Sequence, residues 1–250
     1  GPGLDLKAET IGLAISLELP LIIVDVQRGG PSTGLPTKTE QSDLMLAMYG
    51  RHGESPLPIV AAYTPAQCFD ATIEAARIAL KYRTPVILLT DGYLANSTEP
   101  WLLPDVSTLP DISISFATEP NATTPDGEPT FWPYLRDPET LARPLAVPGT
   151  PGLAHRIGGI EKEDGSGNIS YEPDNHGLMT HLRADKVAGI ADDIPPAVVY
   201  GDEVDPEIVV AGWGSTWGAI SGAVDRVRNR GRRVAQVHVQ HLNPFPSNLG

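Results

Sequence analysis

The stretch QRGGPSTGLPTKTEQ, Gln27 to Gln41, gathers the side chains best suited to chemistry in this chain. Arg28 follows directly on the apolar run LIIVDV and is flanked by Gly29 and Gly30, which carry no side chain to obstruct a ligand. A guanidinium matches a carboxylate through two parallel hydrogen bonds. Thr33, Thr37 and Lys38 add further donors close by. These residue types describe a carboxylate-binding loop. The competing reading is an arginine held in a structural ion pair by acidic neighbours.

Such a loop needs elements to hold it. Leu4, Ala8, Ile11, Ala14, Ile15 and Leu17 form one helical stripe over residues 4–18, and LIIVDV reads as a fully buried strand. A second helix is predicted over Thr39 to Tyr49, then a strand at LPIVAA. A third helix starts at Thr64, with Pro65 first and Gln67 completing a capping-box pattern, and runs to about Tyr82. PVILLTDGY is the next strand. Continuous apolar strands separated by helices imply an α/β fold with a parallel sheet covered on both faces. Ligands in such sheets bind at the carboxyl ends of strands, where this loop lies.

From Asn96 to about Asp205 the periodicity gives way to proline, glycine and polar residues. An excursion of that length points to an interface or a linker. One helix is predicted near Leu178 to Ala191, and Phe131, Trp132 and Tyr134 argue that part of the excursion docks on something. EIVVAGWG, a helix over Thr216 to Arg230 ended by Gly231, and RRVAQVHV then form a βαβ unit. The expected division is 1–100, 101–205 and 206–250, the last being the start of a second α/β domain.

Other features carry less. GWGSTWG at 212–218 places glycines where amides could meet an anion, but it departs from GxGxxG and reads first as a structural turn. The histidines are scattered without metal-ligand spacing. His52, in YGRHGESP beside Arg51, is the one placed near the loops of interest. Cys68 is the single cysteine and sits in an apolar helical pattern, so it reads as a core residue. The chain has no thiolate set for a cluster and no disulfide framework, which suits the cytoplasm. A net charge of -13 argues against nucleic acid, and the basic run Arg226 to Arg233 reads as a solvated helix end. No apolar run approaches the roughly 18 residues of a membrane span. The opening GPGLDLKAE and closing NPFPSNLG lead us to expect an internal piece of a longer chain.

DVQRGGPSTGLPTKTEQSDL, YGRHGESP, LLTDGYLANSTEPW, FWPYLRDPETLARP, PGTPGLAHRIGGIEKEDGSGNISY and AGWGSTWGAISGAV closely resemble the alpha subunit of 2-oxoacid:ferredoxin oxidoreductases, in particular the 2-oxoglutarate type. The resemblance spans nearly the whole chain. It implies a thiamine diphosphate pyrimidine-binding domain over residues 1–100, a linker, and a domain similar to the carboxyl-terminal domain of transketolase. It also implies a beta subunit that holds the diphosphate, Mg2+ and a 4Fe-4S cluster, in a dimer of alpha-beta heterodimers. Arg28 and Thr37 match the family's 2-oxoacid-binding arginine and threonine, with Thr33, Lys38, Arg51 and His52 as further active-site-loop residues.

The acidic residue that protonates the aminopyrimidine belongs, by the resemblance, upstream of GPG. No catalytic residue is therefore assigned within this sequence, and Glu9 and Glu18 are expected to face solvent. The implied activity is oxidative decarboxylation of 2-oxoglutarate with coenzyme A (CoA) to succinyl-CoA and carbon dioxide, reducing ferredoxin. Pyruvate or a branched-chain 2-oxoacid as substrate, a non-catalytic docking subunit and an ordinary nucleotide-binding α/β protein are the alternatives.

Overall fold

A computed structural model describes residues 1–249. Helices α1 (Pro2–Asp5) and α2 (Ala8–Leu17) lead into strand β1 (Leu21–Gln27), followed by α3 (Leu44–Tyr49), β2 (Ile59–Ala61), α4 (Gln67–Tyr82), β3 (Pro85–Asp91) and α5 (Gly92–Asn96). The excursion holds a hairpin, β4 (Ala122–Thr123) and β5 (Pro129–Thr130), and helix α6 (Pro173–Gly189). Strands β6 (Val199–Gly201) and β7 (Ile208–Trp213), helix α7 (Trp217–Arg228), and strands β8 (Val234–Val239) and β9 (His241–Asn243) complete the chain.

The first sheet has the order β1-β3-β2-β9. β3 pairs in parallel with β1 from Leu21↔Pro85 to Gln27↔Asp91, and with β2 from Ile59↔Ile87 to Ala61↔Leu89. Its alternating side chains build both layers, because successive strand residues point to opposite faces. Val86 and Leu88 pack with Ala71, Ala75 and Ile78 of α4 on one face. Ile87 and Leu89 pack with Ile11 and Ile15 of α2 on the other. The second sheet, β6-β8-β7, has the predicted parallel β7–β8 pair plus an antiparallel β6 that the sequence pattern did not reveal. β9 then crosses back and pairs antiparallel with β2. No described helix is long and apolar enough to cross a membrane.

Four local expectations need correction. β1 is not fully buried: Leu21, Val24 and Val26 are exposed, because β1 is an edge strand with β3 as its one partner among the described residues. The stripe over residues 4–18 is two helices interrupted at Leu6 and Lys7. The helix expected from Thr39 begins only at Leu44, since Glu40 and Gln41 are drawn into contacts away from any helix. Glu18 does not face solvent. It is buried at the left-handed end of α2 (φ 52°), ion-paired with Arg136 and Lys186.

Of the three aromatics expected to dock, Tyr134 is fully buried and donates to the Ser16 carbonyl at 3.3 Å. α4 begins at Gln67 instead of the predicted Thr64, although the two residues of the predicted capping pair still anchor the turn before it. The Gln67 amide donates to Thr64 Oγ1 at 3.2 Å, while Gln67 Oε1 accepts from Tyr63 N at 3.1 Å.

Candidate functional site

The loop of residues 27–41 starts from a buried hinge. Gln27 closes β1 with its side chain inside: Nε2 donates to the Thr90 carbonyl at 3.3 Å and Oε1 accepts from Asp43 N at 3.1 Å. One amide thus joins the loop's entrance and exit to the end of β3. Beneath it, burial and the nearby Asp43 carboxylate hold the Asp25 carboxyl above the usual carboxylate range.

The loop is braced across its width. Gly29 N donates to Lys38 O at 2.8 Å and Leu35 N to Gly29 O at 2.7 Å, and Glu40 Oε2 accepts from Gly30 N at 2.7 Å. Gly34 adopts φ +47°, where a Cβ would lie 1.7 Å from Gly29 O, so this turn requires glycine. At the exit, Gln41 Nε2 donates to the Trp213 carbonyl at 3.3 Å.

Upon this frame Arg28, Thr33, Thr37 and Lys38 are all exposed. The ion-pair reading of Arg28 is not realised, because the loop's acidic residue, Glu40, turns to the Gly30 amide instead. The structure therefore brings these four predicted residues together on one short braced loop at the carboxyl end of β1. A guanidinium, an ammonium and two hydroxyls are groups that can bind an anion, and the loop backbone that carries them is braced.

The other predicted residues sit elsewhere. Arg51 donates to the carbonyls of Ala47 at 2.6 Å, Met48 at 3.1 Å and Ser55 at 2.9 Å, closing the end of α3 rather than offering free donors. His52 is exposed and lines a cavity of about 330 Å³ with Glu9, Ser16, Glu161 and Arg183, a lining that includes none of the four loop donors. In GWGSTWG, Thr216 Oγ1 donates to Trp213 O at 2.7 Å and Gly214 takes φ +60°, so the motif is a turn held by its own bonds and by Gln41.

Sequence reasoning missed Gln27, Glu40 and Gln41. The sequence signal for them was weak: three amide or carboxyl side chains bracketing the loop. Among the described residues no group of three or more His, Cys, Asp or Glu side chains is arranged to hold a metal ion. The donor set here therefore suits an anionic organic ligand and does not fit a magnesium or iron–sulfur site.

Residues 1–172 match the family described as pyruvate flavodoxin/ferredoxin oxidoreductase, thiamine diphosphate-binding. The 2-oxoglutarate oxidoreductase subunit KorA of Mycobacterium tuberculosis is 56% identical over 250 residues, covering 100% of this chain and 37% of that protein. The 2-oxoglutarate synthase subunit KorA of Methanothermobacter marburgensis is 31% identical over 246 residues, covering 98% of this chain and 62% of that protein.

A solved structure, 2-oxoglutarate:ferredoxin oxidoreductase from Magnetococcus marinus with 2-oxoglutarate, coenzyme A and succinyl-CoA bound, superposes with a TM-score of 0.85 at 38% identity. It covers 98% of this chain and 41% of that one. The chain thus spans between about a third and two thirds of the length of these relatives. With more than half of its residues matched, the chain belongs to the pyruvate flavodoxin/ferredoxin oxidoreductase, thiamine diphosphate-binding, family.

Proposed function

We propose that this chain is part of the alpha subunit of a 2-oxoacid:ferredoxin oxidoreductase that converts 2-oxoglutarate and CoA to succinyl-CoA and carbon dioxide. Two electrons pass to ferredoxin. The observation that carries the reading is the braced loop after β1 with Arg28 exposed and unpaired by its neighbour Glu40. The 56% identity to a 2-oxoglutarate oxidoreductase subunit supports the choice of substrate.

In this reading Arg28 neutralises a substrate carboxylate through paired N–H donors, and Thr37 adds a directed hydrogen bond that fixes its orientation. Lys38 and Thr33 supply the extra donors that a dicarboxylate needs and a monocarboxylate such as pyruvate does not. Bound thiamine diphosphate supplies the electron sink for decarboxylation. Mg2+ and the 4Fe-4S cluster are assigned to a beta subunit. We further assign residues 206–250 to the start of a transketolase-like carboxyl-terminal domain, supported by the parallel β7–α7–β8 unit, and place the enzyme in the cytoplasm as a dimer of alpha-beta heterodimers.

The test is steady-state kinetics of the assembled enzyme carrying Arg28→Ala. Losing a charge-assisted hydrogen-bonded pair of this kind costs about 2 to 3 kcal/mol, a fall of roughly 50-fold in kcat/KM for 2-oxoglutarate. Thr37→Val is expected to cost about 1 kcal/mol, a few-fold. Unchanged KM and turnover in Arg28→Ala would refute the assignment. Higher turnover on pyruvate than on 2-oxoglutarate in the unmodified enzyme would move the substrate while keeping the loop's role.

A further inference from the structure

We propose that Glu40 is a positioning residue for Arg28, acting as a hydrogen-bond acceptor that locks the Gly29–Gly30 backbone in place by directing its carboxylate to the Gly30 amide. The inference deepens the reading of Arg28 as a 2-oxoacid-binding residue and rests on it.

A carboxylate in a loop built to attract carboxylates is an electrostatic conflict, because like charges at close range repel. The loop resolves it locally. Glu40 Oε2 takes the amide of Gly30 at 2.7 Å, a charge-assisted bond, two residues along from Arg28. The adjoining residue is tied from the other side, by Gly29 N donating to Lys38 O at 2.8 Å and by Leu35 N donating to Gly29 O at 2.7 Å. Gly29 is itself buried against Leu35, with a Cβ meeting Leu35 Cβ at 3.3 Å and Glu40 Oε2 at 3.7 Å.

Two glycines in succession would otherwise be the loosest part of the loop, since glycine has the most backbone freedom to lose. The Glu40 contact removes that freedom at the residues that set where Arg28 stands. What the site needs from position 40 is an acceptor of the right length, and the negative charge is dispensable.

This separates two variants. In the assembled enzyme, Glu40→Gln keeps an acceptor oxygen and drops the charge, whereas Glu40→Ala loses both. The expected result is a KM for 2-oxoglutarate about tenfold higher in Glu40→Ala with kcat within twofold. Glu40→Gln is expected to give a KM at or below that of the unmodified enzyme. On an Arg28→Ala background, Glu40→Ala is expected to add less than a twofold change, because its effect passes through Arg28.

Three outcomes overturn the inference: an unchanged KM in Glu40→Ala, an equal loss in Glu40→Gln and Glu40→Ala, or fully additive effects in the double variant. Thermal unfolding of each complex separates local loosening from a failure to fold. The underlying reading has its own arm. If Arg28→Ala leaves KM unchanged, the 2-oxoacid site is misplaced. If Arg28→Ala raises KM and Glu40→Ala does not, only the role of Glu40 is wrong.

Discussion

At Gly34 the absence of one carbon decides whether the loop can close. With φ at +47° and a would-be Cβ 1.7 Å from a backbone oxygen, Gly34→Ala must open the turn, since no flexible side chain can yield. The expected outcome is a KM for 2-oxoglutarate at least tenfold higher, measured beside Gly53→Ala as a control. Gly53 also has positive φ but nothing within 4 Å, so its loss should cost only about 1 kcal/mol of stability.

His238 offers a pH test at the same scale. Burial among the rings of Tyr63 and Trp217 pulls its pKa down to about 4. From pH 6.5 down to about 4 the unfolded chain binds a proton that the folded protein refuses. This histidine's contribution to stability therefore falls as pH drops through that window and levels off below it. His238→Phe should flatten the decline in thermal midpoint over that range relative to the unmodified protein, and parallel curves would count against it. The placement of Arg28 and Thr37 on a loop after a strand was legible from the sequence because it is a local fact. The bond of Glu40 to the Gly30 amide was not, because it depends on which amide the fold brings to the carboxylate.

Among the elements, the end of α2 shows how the excursion is tied to the sheet. The carbonyls of Ser16 and Leu17 accept from Tyr134 Oη at 3.3 Å and Arg143 Nε at 2.7 Å, and Arg136 and Lys186 close on Glu18. Cations at a helix carboxyl end are favoured by its partial negative charge. Burial pushes the Glu18 carboxyl up, yet the combined pull of Lys186 and Arg136 holds it below its ordinary value. Glu18→Gln would leave buried Lys186 without its counter-charge and Arg136 with only Asp164 at 3.5 Å, at a cost of about 3 to 5 kcal/mol, to be read from denaturant unfolding of the full-length subunit. A loss below 1 kcal/mol would mean that water reaches the cluster. The partners stand 118 and 168 residues from Glu18 in sequence, which is why periodicity could not announce them. β3 and α4, whose apolar spacing is complete within one segment, were readable to within a few residues. β1 misled because an apolar run looks the same at an edge as at the centre.

For the whole molecule the decisive element is β9, which ties the second sheet to the first. Ala61 N donates to Gln240 O at 2.8 Å, Asn243 Nδ2 donates to Leu57 O at 2.7 Å, and His241 Nε2 meets Glu74 Oε1 at 2.9 Å. Burial opposes ionisation of Glu74, but hydrogen bonds from Arg77 and His241 pull it down to about 2, so this contact stays charged on the Glu74 side across the physiological range. Gln41 makes a second tie, from the exit of the Arg28 loop to the Trp213 turn. With two such ties the sheets should unfold together, and a change in β9 should be felt in β2. Asn243→Ala leaves the Leu57 carbonyl without its donor, at about 1 to 3 kcal/mol. Hydrogen exchange is the measurement that separates the outcomes. Faster exchange in both β2 and β8 of the variant is expected from one cooperative unit. Faster exchange at residues 57–61 with β8 unaffected would show two independently folding halves, and would free the Arg28 loop from any dependence on the carboxyl-terminal sheet.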